Sequence, residues 1–204
     1  MYLYPKWIRI WHVINALMFI ILIVTGISMQ YTDKENLKYI VGFAKAVKWH
    51  NFAALVITAN YVFYIIGNAV TGNGKYYRIK RTGFISELVS QGMYYSLGMF
   101  RGEKHPFPVT LERKFNPLQK FTYVLAMYFG MPVLIISGIV LLFPELAVEN
   151  IFGMSGLVLN DVLHITVGFL LSIFMIIHIY TCTLGARPTS LFRGMITGYH
   201  ESDH

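Results

Sequence analysis

VLHITVGFLLSIFMIIHIYTCTLGA, residues 162–186, runs for 25 residues without a charged side chain and carries His164 near its start and His178 past its middle. At about 1.5 Å of rise per residue, such a run crosses a hydrocarbon core about 30 Å thick, for which roughly 20 residues suffice. The fourteen residues between the histidines turn a helix by about 1400°, some 40° short of four full turns, and advance it by about 21 Å. One face of this helix therefore presents two imidazoles at opposite ends of the membrane.

Three further uncharged runs, 10–32, 49–74 and 121–144, hold 23, 26 and 24 residues. The spacing predicts an all-α membrane protein, a four-transmembrane-helix bundle forming one integral-membrane domain over 1–204. The first run is read as a helix and not as a cleaved leader, because it is long, follows the aromatic stretch 2–11 and lacks a small-x-small cleavage site. Composition agrees: 55% apolar residues, 13% charged and a mean hydropathy of +0.53 exclude a soluble enzyme. The single cysteine, Cys182, excludes intramolecular disulfides, Cys-rich zinc or iron–sulfur sites and the C-x-x-C-H attachment of c-type haem.

Charge placement predicts orientation. The net charge is +7, and of the 17 Lys and Arg, thirteen fall before the first run, between the second and third, or after the fourth. Both termini are thus expected on the cytoplasmic side of a prokaryotic inner membrane, and the positive charge is a matter of topology and not of nucleic-acid binding. Between the first two runs, residues 33–48 set Lys34, Lys38, Lys45 and Lys48 among apolar residues at helical spacing, which predicts an amphipathic segment on the outer surface. The stretch 84–100 is semi-apolar but too short and polar to span, and is expected at the interface or against a partner.

Of seven histidines, His105, His200 and His204 lie in aqueous segments and read as surface residues. His12, His50, His164 and His178 lie within the runs, where ionisable groups are functional by default. With the N-terminus inside, His50 and His164 begin their helices at the same outer depth, while His12 and His178 lie toward the inner side. His12 is three residues from Arg9 and His178 nine from Arg187, so those two reach one depth only where helix four projects past the hydrocarbon or helix one starts below it. Two interhelical pairs, His50 with His164 and His12 with His178, suit bis-imidazole ligation of two haems b, which saturates the iron and leaves it to pass electrons. Gly26, fourteen residues after His12, falls at the level of the outer haem, where a porphyrin needs close approach; plain helix packing is an equal alternative. A non-haem transporter is disfavoured, since no Asp or Glu lies within a run and only Pro132 could break a helix.

These residues resemble the di-haem cytochrome b membrane subunits of respiratory formate dehydrogenases, nickel–iron hydrogenases and thiosulfate reductases. The resemblance covers nearly the whole chain and rests on Arg9-x-x-His12 with Thr25-Gly26, His50, Lys114-Phe-Asn-Pro-Leu-Gln-Lys120, Ser137-Gly138, the His164 and His178 pair, and Met195-x-x-Gly198. It implies the same histidine pairing and a quinone pocket (menaquinone or ubiquinone) beside the inner haem, lined by Asn116 and His178, with a departure from the relatives at Pro117. Asn116 equally suits a helix cap, and the two roles are compatible. Arg9, Lys48, Arg113 and Lys114 are placed to pair with haem propionates or to anchor the membrane interface.

The expected function is a membrane-anchor electron-transfer subunit. It would connect an outer-surface iron–sulfur or catalytic partner, of hydrogenase, formate dehydrogenase or molybdenum reductase type, with the quinone pool in either direction. No catalytic residue is assigned beyond the quinone site. The alternative is a stand-alone di-haem cytochrome b that oxidises quinol.

Overall fold

The computed structural model describes residues 1–32, 40–80, 82–185 and 187–200. Residues 33–39 of the expected outer amphipathic segment lie outside that description, as do Arg81, Ala186 and His204. In chain order the helices are α1 (Lys6–Gln30), α2 (Phe43–Thr71), α3 (Phe84–Met93), α4 (Pro117–Val124), α5 (Met131–Leu142), α6 (Gly156–Cys182) and α7 (Ser190–Thr197). A π-helical stretch, Leu125–Gly130, joins α4 to α5, so that Pro117–Leu142 is one continuous span. Among the described residues, this span, α1, α2 and α6 are the four helices long and apolar enough to cross a membrane.

Each spanning helix starts before its uncharged run. Lys45 and Lys48 sit in the first turns of α2, and Asn160 and Asp161 lie inside α6. A charge ends an uncharged run, but main-chain hydrogen bonding continues into the interface, where long side chains reach water. Residues 43–48, expected in a separate surface segment, thus belong to α2. Entry into the third span is fixed by a capping box: Asn116 Oδ1 accepts from Gln119 N at 2.8 Å, Gln119 Oε1 accepts from Asn116 N at 3.2 Å, and Pro117 opens the helix. Pro132 does not break the span. The π-helical widening falls in the turn before it, where a proline has no N–H to offer the preceding carbonyls and its ring crowds them.

Between α5 and α6 a small hairpin pairs β1 (Asn150–Ile151) with β2 (Met154–Ser155). Its turn puts Phe152 at φ 52° and Gly153 at φ 84°, the two positive φ values of a type I′ turn, and Gly153 N donates to Asn150 Oδ1 at 2.8 Å. Two-residue strands carry no alternation that a sequence pattern could reveal.

The chain divides into two compact units. One consists of Pro5–Gly67 and Val133–Met175, holding α1, most of α2, most of α5 and most of α6. In it α1 and α2 approach closely: Trp11 stacks on Tyr64 with ring centres 4.4 Å apart, Asn60 Nδ2 donates to Trp11 O at 3.0 Å, and Gly67 leaves room for the Trp7 ring. The other consists of Met1–Tyr4, Asn68–Pro132 and Ile176–His204. There the two ends of the chain meet: Leu3 N donates to Gly198 O at 3.0 Å and His200 N to Met1 O at 2.8 Å, and Tyr2 packs edge-on against Tyr199. The same unit contains α3 and α4, which pack together through Phe84 and Phe121, ring centres 6.4 Å apart.

Candidate functional site

Two of the four membrane histidines face each other in the first of these units. His50, in the second turn of α2, and His164, in the third turn of α6, have ring centres 6.4 Å apart at an interplanar angle of 65°. Each ring is tied back by a hydroxyl from a neighbouring helix. His50 Nδ1 stands 2.9 Å from Thr25 Oγ1 of α1, and His164 Nδ1 2.8 Å from Ser137 Oγ of α5. Both hydroxyls have already spent their own proton, Thr25 on Ile21 O at 2.6 Å and Ser137 on Val133 O at 2.7 Å. With those protons so placed the hydroxyls accept from Nδ1–H, the tautomer that leaves both Nε2 lone pairs for a metal. Asn160 Nδ2 donates to Ser137 O at 2.9 Å and steadies that turn of α5.

The donor set suits a haem iron. Between rings whose centres are 6.4 Å apart, two metal–nitrogen bonds of about 2 Å and the ~1 Å from nitrogen to ring centre leave room for one iron and nothing larger on that axis. Two neutral imidazoles complete the axial positions, so the chemistry they support is one-electron transfer without exchange of an iron ligand. The two hydroxyls are each followed by a glycine that serves the same ring. A Cβ on Gly26 would lie 3.6 Å from His50 Cε1, and one on Gly138 only 3.2 Å from His164 Cε1. What presses on Gly26 in this structure is thus the imidazole edge. Gly168, in contrast, faces only Leu134 at ordinary packing distance. The sequence reading marked Gly26 and both dipeptides but gave Thr25 and Ser137 no role.

Also in this unit, His12 sits half-buried on α1 with its ring 6.3 Å from that of Trp11. Lys48 is exposed on the first turns of α2, and Arg9 is half-buried on α1.

His178 belongs to the other unit. Its Nδ1 lies 3.3 Å from Tyr123 Oη, the two rings meeting edge-on at 5.6 Å, and Cys182 Sγ lies 3.9 Å from its Nε2. Phe115 stacks edge-on against Tyr123 at 5.1 Å, extending the aromatic contact toward the start of α4. Asn116 there is 4% exposed, and besides its capping role it donates from Nδ2 to Tyr95 Oη at 3.0 Å. Tyr95 comes from the stretch 84–100, to which the sequence assigned no function. Burial raises the pKa of the Tyr95 phenol, so this residue stays protonated at neutral pH. Lys114 Nζ donates to Asn73 Oδ1 at 3.0 Å and lies 4.3 Å from the centre of the Tyr76 ring. Burial, and secondarily the charge of Lys75, lowers the pKa of Lys114. His105, expected as a plain surface residue, is half-buried, with its ring 4.8 Å from that of Tyr94 and 6.3 Å from that of Tyr95.

Comparison with known proteins gives the family. The family described as Prokaryotic cytochrome b561 matches residues 3–198. The chain is 37% identical, over 204 residues covering 98% of it and 74% of the relative, to a protein of Escherichia coli (strain K12) named "Putative cytochrome YdhU". No solved structure matches the chain.

Proposed function

The chain belongs to the prokaryotic cytochrome b561 family and is a membrane-spanning haem b electron-transfer protein, and from that premise we propose that it is the membrane-anchor subunit of a respiratory oxidoreductase. In this role it passes electrons between a redox partner at the outer surface of a prokaryotic cytoplasmic membrane and the quinone pool, through two haems b. His50 and His164 hold the outer haem. The observation that carries this assignment is the paired imidazoles, each with Nδ1 bound back to a spent hydroxyl. His12 and His178 hold the inner haem, an assignment supported by the place of both toward the inner side in the sequence and by the resemblance to di-haem subunits. Arg9, Lys48 and Lys114 are the propionate partners, and Gly26 keeps α1 thin beside the outer haem. The quinone, menaquinone or ubiquinone, binds near Asn116 and His178; support comes from their position in one unit and from the neutral Tyr95 hydroxyl beside Asn116.

The test is a reduced-minus-oxidised absorption spectrum of the purified chain with a haem count. Two b-type haems per chain are expected. His164→Ala should lose one of them, the outer, and keep the other reducible by menadiol. A single haem in the wild type, or loss of the inner haem alone in the variant, would overturn the assignment.

A further inference from the structure

The helical stretch beginning at α3 is two-faced. Ile85, Val89, Met93, Leu97 and Phe100 form an exposed apolar stripe along it, and Phe84, Leu88, Gln91, Tyr95 and Gly98 form the covered face. The covered face is tied down at both ends, by Phe84 against Phe121 and by Tyr95 Oη on Asn116 Nδ2. Gln91 lies between those two contacts, one turn before Tyr95 and on the same side of the helix. It is 0% exposed, and among the described residues neither its Nε2 nor its Oε1 has a hydrogen-bond partner.

A fully buried amide with both ends unmet is costly, because each group has given up its bond to water without a replacement. A helix packing interface would be better served at that position by Leu or Met. Such a group is kept where something else completes it. We propose that the Gln91 amide, together with the Tyr95 hydroxyl, binds the head group of a quinone. This inference rests on the quinone reading above and gives it a second wall, on α3, opposite the Asn116 end of α4.

Three features select a quinone. The side chains of the covered face are themselves uncharged, with Glu87 flanking it and the Glu103 carboxylate against its Gly98 end, so the stretch between Gln91 and Tyr95 suits a neutral ligand. The apolar stripe on the other side of α3 suits the membrane interface, so the ligand arrives from the lipid. A primary amide offers N–H to a quinone carbonyl and C=O to a quinol hydroxyl, and so holds both oxidation states without titrating. Tyr95 contributes a hydroxyl whose proton is not used in its bond from Asn116. The π-helical stretch Tyr94–Gly98 begins next to this pair, a local widening that recurs at binding sites.

The experiment uses the full chain in detergent with its haem, and measures equilibrium binding of menadione by titration calorimetry. Gln91→Met keeps the length and helix preference of the side chain and removes both polar atoms. Its haem content and redox spectrum should match the wild type, and its thermal midpoint without menadione should be equal or higher. Its Kd for menadione should rise about tenfold. Gln91→Asn, which withdraws the amide by one methylene, should also weaken binding, and decides the matter should the Met variant fold poorly. Unchanged affinity in a folded, haem-loaded variant overturns the role of Gln91 and leaves the quinone reading standing. A wild-type chain that holds haem but binds no menadione overturns both.

Discussion

At the scale of single residues, the proposed outer-haem site turns on two hydroxyls that meet the Nδ1 atoms of two imidazoles. A hydrogen bond from Nδ1 to an acceptor makes the ligating Nε2 more basic and stabilises the ferric state. Removing that acceptor should weaken haem binding 10–100-fold and raise the midpoint potential of the outer haem. Thr25→Val, which is nearly isosteric, and Ser137→Ala should each do this while the inner haem keeps its potential. A redox titration with a haem count checks it, and an unchanged outer potential in both variants would refute the tautomer assignment. The histidines were legible because an ionisable group within an apolar run has few bland explanations. The hydroxyls were not, because Ser and Thr in spanning helices routinely bond a carbonyl of their own preceding turn. Thr58 does so to Ala54 and Ser172 to Gly168, with the same geometry as Thr25 and Ser137. Only the glycine that follows, in Thr25-Gly26 and again in Ser137-Gly138, sets the functional pair apart.

At the scale of helices, those glycines set how near each neighbour can approach a ligand. Alanine is the better helix former by about 1 kcal/mol, so replacing either glycine should help its own helix. The opposing effect is contact with the imidazole, and it differs between the two. A Cβ at 3.2 Å from His164 Cε1 forces the ring or α5 to move, whereas one at 3.6 Å from His50 Cε1 is ordinary van der Waals contact. Gly138→Ala should therefore lose more of the outer haem, or broaden its signal in electron paramagnetic resonance more, than Gly26→Ala, where α1 has less to yield. Equal retention in both would mean that α5 yields freely at this point. The four spans were legible from hydropathy, but their starts were not, since charge marks where the hydrocarbon ends and capping marks where the helix begins. Asn116-Pro117 announced such a start in the sequence. The packing of α3 was hidden for a different reason: its apolar stripe and covered face are both rich in large side chains, so pattern alone could not say which side was buried.

At the scale of the whole chain, the disposition of charge and the meeting of the two ends bear on topology independently. Residues 1–4 and 198–200 share main-chain hydrogen bonds, the arrangement expected where four spans return the chain to the side from which it set out. Which side is a matter of charge. The connection between α2 and α4 carries eight Lys and Arg, including Lys75, Arg101 and Lys104, whereas the connection between α5 and α6 carries only the acidic Glu145 and Glu149 before α6 begins. Basic segments next to spans resist translocation, so the first connection should be cytoplasmic and the second outer. Since Cys182 is the only cysteine, a Cys182→Ser background makes single introduced thiols unambiguous. In intact spheroplasts, a membrane-impermeant maleimide should label Glu149→Cys and spare Lys104→Cys until the membrane is opened. The reverse pattern would place the His50 and His164 pair toward the cytoplasm. Electrons from an outer partner would then meet the other haem first, and the proposed path to quinone would have to be redrawn.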